Sequence, residues 1–346
     1  MKILYGVAGE GSGHSMRARE IIAHLRKNHI VKVMTYDTAY RNLSPDFDCE
    51  KIEGLRLAYN KNNELIFTKT VWRNIVKFKE LLYSFDKVKR IVNEFKPDIM
   101  ITDFEPMTAW AARAKKIKLI SIDNQHRLTN AKIVELSRFR FSALSARLIT
   151  RLFVPKADVY FITSFHALKI KKPASYIFPP ILRQEVLNAK TSESDYILVY
   201  LTAGFDSVVK VLKKTTAKFI VYGFDKDEVD ANIIYKKASR ENFLSDLCAC
   251  RAVVATAGFT LLTECLHLGK PMLAIPVSKQ YEQMINAYYL SKLKYGSHCR
   301  RLSVKRLNKF LRSLDVYKEA LRRYERKDNS EIINALERTL NIEHCA

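Results

Sequence analysis

The stretch Thr256 to Ala287 (TAGFTLLTECLHLGKPMLAIPVSKQYEQMINA) constrains the fold of this chain more than any other. It follows an apolar run ending at Ala255 and sets Gly258 where a strand should hand over to a helix. A glycine there lets a ligand approach the backbone, and the N–H groups of Thr256, Gly258, Phe259 and Thr260 would face an anion at the helix start. Glu264 lies two turns into that helix, within reach of a ribose. Gly269-Lys270-Pro271 then stops the helix and launches a short buried strand, Met272 to Pro276. Glu282 and Gln283 follow, a carboxylate and an amide side by side, with Asn286-Ala287 just beyond. An anion site, a diol acceptor and a polar pair suited to sugar hydroxyls together fit a nucleotide sugar.

The rest of the chain repeats that strand–turn–helix grammar. Lys2 to Val7 reads as a buried strand feeding a Gly-rich turn and a helix, the opening of a doubly wound α/β domain. His29 to Tyr36, Pro97 to Thr102 and Lys118 to Ile122 read as further strands, with a helix from about residue 106. Residues 64–95 read as an amphipathic helix, and these and 132–153 mix bulky apolar side chains with Lys and Arg. A polar, Pro-containing stretch over 177–195 reads as the linker. Strands at Tyr196 to Leu201, Lys218 to Tyr222 and before Ala255 then begin again. The expected architecture is α/β, with two Rossmann-like doubly wound domains at 1–185 and 186–313. A charged helix over 314–340 would close the chain within 314–346.

The first turn, GEGSGHSMR at positions 9 to 17, is not a dinucleotide fingerprint, because His14 stands where the third glycine should be. His14 falls at the carboxyl end of the first strand, where open α/β sheets place ligands. Its imidazole can take a proton from a hydroxyl near neutral pH, given a carboxylate to fix its tautomer. Asp103 ends the strand PDIMIT on the same rim and is the expected partner; Glu105 is a second candidate, and either carboxylate is the base if His14 is not. The alternative is that His14 only ties down its turn. Asp123-Asn124-Gln125-His126 ends another strand at that rim. Arg17 either locks the turn or meets a phosphate.

Composition narrows the class. The 346 residues carry 59 basic and 36 acidic side chains, a formal charge of +23, which draws polyanions, anionic membranes or phosphorylated substrates. Recognition motifs of nucleic-acid modules are absent, so no nucleic-acid partner is expected. Cysteines form neither a Cys-x-x-Cys pair nor a disulfide framework. No apolar run is long enough to span a bilayer, and the N-terminus does not read as a signal peptide, so a cytoplasmic protein is expected. The basic amphipathic stretches suggest peripheral attachment to the inner face of the cell membrane.

Ala257-Gly258, Thr263-Glu264, Gly269-Lys270-Pro271 and Glu282-Gln283-x-x-Asn286-Ala287 match, in order and spacing, the donor-binding signature of GT-B glycosyltransferases. The chain resembles that superfamily, which includes the UDP-glycosyltransferases and the lipid-linked GlcNAc transferase of peptidoglycan synthesis. Gly9 to Arg17, Asp103 to Pro106 and Asp123 to His126 look most like its family 28 type. The resemblance implies two domains facing a cleft, acceptor on the first and nucleotide sugar, by family a UDP-sugar, on the second. It implies that His14 and Asp103 form the base dyad of an inverting transfer. Gly13 and the turn ending at Gly204 would approach the diphosphate, and Phe243 or Leu244 would border the base, although core packing is the alternative for that aromatic. No metal and no cofactor are expected, since the family holds the diphosphate with helix N-termini and backbone. The acceptor would be a hydroxyl, on a glycolipid or cell-envelope glycan precursor. UDP-sugar hydrolysis or 2-epimerisation on the same scaffold is the alternative activity, and a non-catalytic polyanion binder is a third.

Overall fold

A computed structural model describes residues 1–55, 58, 69, 72, 76–201, 205–237 and 239–344. These fall into two units, one from Met1–Ala58, Ile66–Arg183 and Lys327–Ala346, the other from Gln184–Arg326.

The first unit holds β1 (Lys2–Val7), β2 (Ile30–Thr35), β3 (Cys49–Lys51), β4 (Ile99–Asp103), β5 (Leu119–Asp123), β7 (Val159–Thr163) and β9 (Ser175–Phe178) in one parallel sheet, ordered β3-β2-β1-β4-β5-β7-β9. β6 (Ala131–Lys132) and β8 (Lys169–Ile170) make a separate antiparallel ribbon. Strands buried on both faces need continuous apolar runs, which is why β1, β4 and β5 read as such in sequence. The order reverses between β1 and β4, so a crevice is expected beyond their carboxyl ends.

The second unit repeats the plan with β10 (Ile197–Tyr200), β11 (Phe219–Tyr222), β12 (Glu228–Asp230), β13 (Ile233–Lys236), β14 (Ala252–Ala255), β15 (Met272–Ala274) and β16 (Gly296–His298), ordered β12-β13-β11-β10-β14-β15-β16. Only β12 runs antiparallel to its neighbour in that sheet. Its switch point lies between β10 and β14.

Two amphipathic stretches differ from expectation. Of the helix expected over 64–95, Phe78–Phe95 is formed, and most of 64–75 lies outside the described residues. The single helix expected over 314–340 is two, Leu314–Arg322 and Ser330–His344. The break has a local cause: Asp328 accepts from both the N–H and the hydroxyl of Ser330, a turn that competes with helix. Beside it, Asn329 clamps Leu182, accepting from its N–H (2.9 Å) and donating to its carbonyl (2.7 Å). From there Ile332, Leu336 and Leu340 enter the core formed by Ile3, Ile21, Leu25 and their neighbours.

Asn329→Ala would leave both buried backbone groups of Leu182 without these partners. A loss of about 2 kcal/mol or more is expected, since each unsatisfied group costs roughly 1–3 kcal/mol. Urea unfolding measures it.

Candidate active site

At the first switch point, Val7 lies opposite Asp103, and the Ala8 N–H donates to the Asp103 carbonyl. The chain then turns at Gly11, whose φ of 76° and ψ of 168° suit glycine alone, and enters the helix Ser12–Leu25. A side chain at Gly9 would collide with the Tyr36 ring at 2.3 Å. Gly13 and His14 therefore stand in the first helical turn, beside the end of β4.

Asp103 is fully buried. His14 Nδ1 lies 2.7 Å from its Oδ1. Arg17, one turn further along the same helix face, donates from Nε to Oδ2 (2.7 Å) and from Nη2 to Oδ1 (2.5 Å). Its Nη1 donates to Asn124 Oδ1 (3.0 Å). Nη2 also lies 2.8 Å from His14 Nδ1. The arrangement closes if His14 carries its proton on Nδ1, which leaves Nε2 as the basic nitrogen. Between the two sequence readings of Arg17, the structure selects the lock.

The corner after β4 builds the floor of this site. Phe104 adopts φ 56°, a left-handed conformation that costs a non-glycine residue roughly 1–2 kcal/mol. Its ring stacks on His14 (centroids 6.4 Å apart, planes 13° apart) and packs on Phe153 at 5.2 Å. Glu105, expected as a possible base, is instead the N-cap of the helix Pro106–Lys115. Its two oxygens accept from Met107 N (3.0 Å) and Thr108 N (2.7 Å), and it is fully buried. Burial pushes its carboxyl above the ordinary value, against the opposing bonds from Thr108 and Met107. That is a structural carboxylate.

At the end of β5, Asp123 closes its own turn. It accepts from His126 N (2.8 Å), His126 Nδ1 (2.6 Å) and Ser121 Oγ (2.7 Å). All four residues Asp123 to His126 are buried at this rim. Burial would raise the Asp123 carboxyl, yet the His126 charge and the bonds from His126 and Ser121 bring it down from 3.8 to about 2.

In the second unit, Gly258 caps the helix Phe259–His267 at φ −63°, with no side-chain cap. A Cβ built there meets nothing within 4 Å. Neither backbone conformation nor packing inside the protein demands glycine, and the space beside it is open. Asn286 Nδ2 donates to the Ala257 carbonyl (2.9 Å), pinning this loop to the helix Tyr281–Lys292. Thr256, Phe259 and Glu264 are buried, while Thr260 is half-buried. Gln283 folds the preceding loop: it accepts from Val277 N (3.0 Å) and donates to Gln280 (2.7 Å). Glu282 stays half-buried in the first turn. Phe243 sets its edge against Tyr200 (5.4 Å) and Tyr222 (5.1 Å), the last residues of β10 and β11, with Leu244 half-buried beside it. The turn after β10, with Gly204, lies outside the described residues. Lys270 is unexpectedly buried, its ammonium donating to the carbonyls of Ser192 (2.6 Å) and Cys250 (2.8 Å). Among the described residues, no group of three or more His, Cys, Asp or Glu side chains could hold a metal ion, and no helix is long and apolar enough to cross a membrane.

Two measurements follow from these contacts. Arg17→Ala would strand the buried Asp103 carboxylate and should cost about 3–5 kcal/mol in urea unfolding. For Asp123, the depressed carboxyl contributes stability above its ordinary 3.8 that is lost as pH falls toward about 2. The contribution is on the order of 2 kcal/mol. Asp123→Asn should therefore show a flatter loss of stability than the parent across that acid window.

A family model described as Glycosyl transferase family 1 matches residues 1–315. An uncharacterized glycosyltransferase of Methanosarcina acetivorans is 23% identical over 330 residues, spanning 86% of this chain and 85% of its own. Among solved structures, the calicheamicin glycosyltransferase CalG4 superposes with a TM-score of 0.69 at 12% identity, covering 98% of each chain. The Streptomyces glycosyltransferase SsfS6, complexed with thymidine diphosphate, gives 0.64 at 15% identity, covering 98% of this chain and 99% of its own. At such identities the structures speak for the fold, two units with parallel sheets as in GT-B enzymes. The match over nearly the whole length adds the chemistry: this chain belongs to glycosyl transferase family 1 and is a transferase.

Proposed function

We propose that the chain moves a sugar from a nucleoside diphosphate sugar, a UDP-sugar by preference, to an acceptor hydroxyl with inversion. His14 Nε2 takes the hydroxyl proton. The freed oxygen bonds to the anomeric carbon as the bond from that carbon to the diphosphate oxygen breaks. The observation that carries this reading is the His14–Asp103 contact at 2.7 Å: a proton on Nδ1 facing that carboxylate would leave Nε2 as the base. Asp103 orients the ring, and Arg17 holds Asp103.

The donor falls to the second unit. Gly258 leaves room for a diphosphate against the backbone of Thr256, Phe259 and Thr260, where a helix start favours an anion. Gly204 and Gly13 are proposed to approach the same group, Glu264 to take the ribose, and Glu282 with Gln283 the sugar. Phe243 or Leu244 would border the base. No metal is required in this scheme. The thymidine diphosphate in SsfS6 supports a nucleoside diphosphate as the leaving group. Gly9 to Arg17 and Asp123 to His126 favour the family 28 type, and with it a glycolipid or cell-envelope acceptor reached at the inner membrane face.

Gly258→Ala separates binding from folding, because the added methyl has room. Stability should hold while the donor-induced thermal shift falls; a saturating donor at a hundred times its Kd adds about 2.7 kcal/mol to the parent. His14→Ala should keep that shift and lose about 10²–10⁴ in turnover. Full turnover in His14→Ala would refute the base assignment, and UDP release undiminished without acceptor would favour hydrolysis.

A further inference from the structure

The helix Arg140–Phe153 buries little of its apolar side. Phe141 is 89% exposed, Leu144 64%, Leu148 43% and Leu152 54%. Their spacing of three, four and four residues aligns them on one face. Arg140, Arg147 and Arg151, seven and four residues apart, run along one flank of that stripe. Lys171 adds to this flank: burial first, and then the neighbouring charges of Arg147, Arg151 and Lys172, push its ammonium pKa down. Glu135 offsets part of it through Arg147 at 2.9 Å.

We propose that this face docks the protein on an anionic lipid surface, the stripe entering the interface and the arginine flank meeting the headgroups. A bulky apolar stripe edged by cations is the composition of a helix lying in such an interface. A second copy of the chain fits poorly, since a self-complementary contact would bring the basic cluster against itself. The far end of the helix ties the surface to the candidate base. Trp110 Nε1 donates to the Leu152 carbonyl (2.9 Å), Phe153 packs on Phe104, and Phe104 stacks on His14. A lipid-linked acceptor held at this face would thus stand beside the imidazole. That last link rests on the proposed role of His14; the docking does not.

Vesicle flotation without donor or acceptor tests it. The full chain should bind vesicles of phosphatidylglycerol and phosphatidylcholine at low salt, release them as salt rises, and ignore pure phosphatidylcholine. Arg140→Gln with Arg151→Gln should weaken binding about thirtyfold, at roughly one lipid-facing charge each. Phe141→Ser with Leu148→Ser should abolish binding with an unchanged thermal midpoint and an unchanged donor-induced shift. Absence of parental binding at low salt, or equal binding by the Phe141 and Leu148 variant, overturns the proposal. So does a parental dimer that the same substitutions dissociate, which would assign the face to a second copy. Vesicle binding alongside an active His14→Ala variant would instead refute the base and leave the docking intact.

Discussion

A carboxylate can be buried only if donors are buried with it, and Asp103 draws its donors from a single turn of helix. His14 and Arg17 lie three residues apart, so the Ser12–Leu25 helix presents both to the end of β4 at once. That requirement fixes the rotation of the helix about its axis. It also fixes where the chain must turn after β1, and hence the need for Gly11. Arg17 carries the constraint onward to Asn124, so the ends of β1, β4 and β5 become one hydrogen-bonded rim. Phe104 accepts an unfavourable backbone conformation at this rim, and its ring supports the imidazole in return.

The two halves solve the same problem of holding loops at strand ends by different means. In the first, charged side chains do it. Beyond β14 and β15 of the second, neutral amides do: Asn286 holds Ala257, and Gln283 gathers Val277 and Gln280. The difference suits their proposed ligands. A proton acceptor needs a fixed charge behind it, whereas a diphosphate brings its own charge and is best met by backbone N–H groups and open space.

Much of this was legible in the sequence, and the reasons are specific. β1, β4, β10 and β14 are apolar runs with polar or small residues at their ends, so both strand and rim could be read. That His14 meets Asp103 follows from each residue's place after a strand, once β1 and β4 are neighbours. The job of an individual polar group was harder to read. Glu105 two residues past a strand looks the same in sequence whether it faces a ligand or caps its own helix. Arg17 offered two partners, and Lys270 read only as part of a helix stop. Such choices depend on rotations of a few tens of degrees that spacing does not encode. The helix over 314–340 failed for a plainer reason. Its apolar periodicity continued across Asp328-Asn329-Ser330, where side chain and backbone hydrogen bonds override it.

The terminal helix changes the order in which the molecule can be completed. Leu336 and Leu340 fill the same interior as Ile3 and Ile21, so the first unit needs both the earliest and the latest residues made. A ribosome delivers all of Gln184–Arg326 before it supplies that missing wall, a delay on the order of ten seconds. Over that interval the nascent first sheet has an open apolar flank, while the second unit, whose described residues all lie within Gln184–Arg326, already has every residue it requires. The usual order of vectorial folding is inverted: the part encoded second can close first.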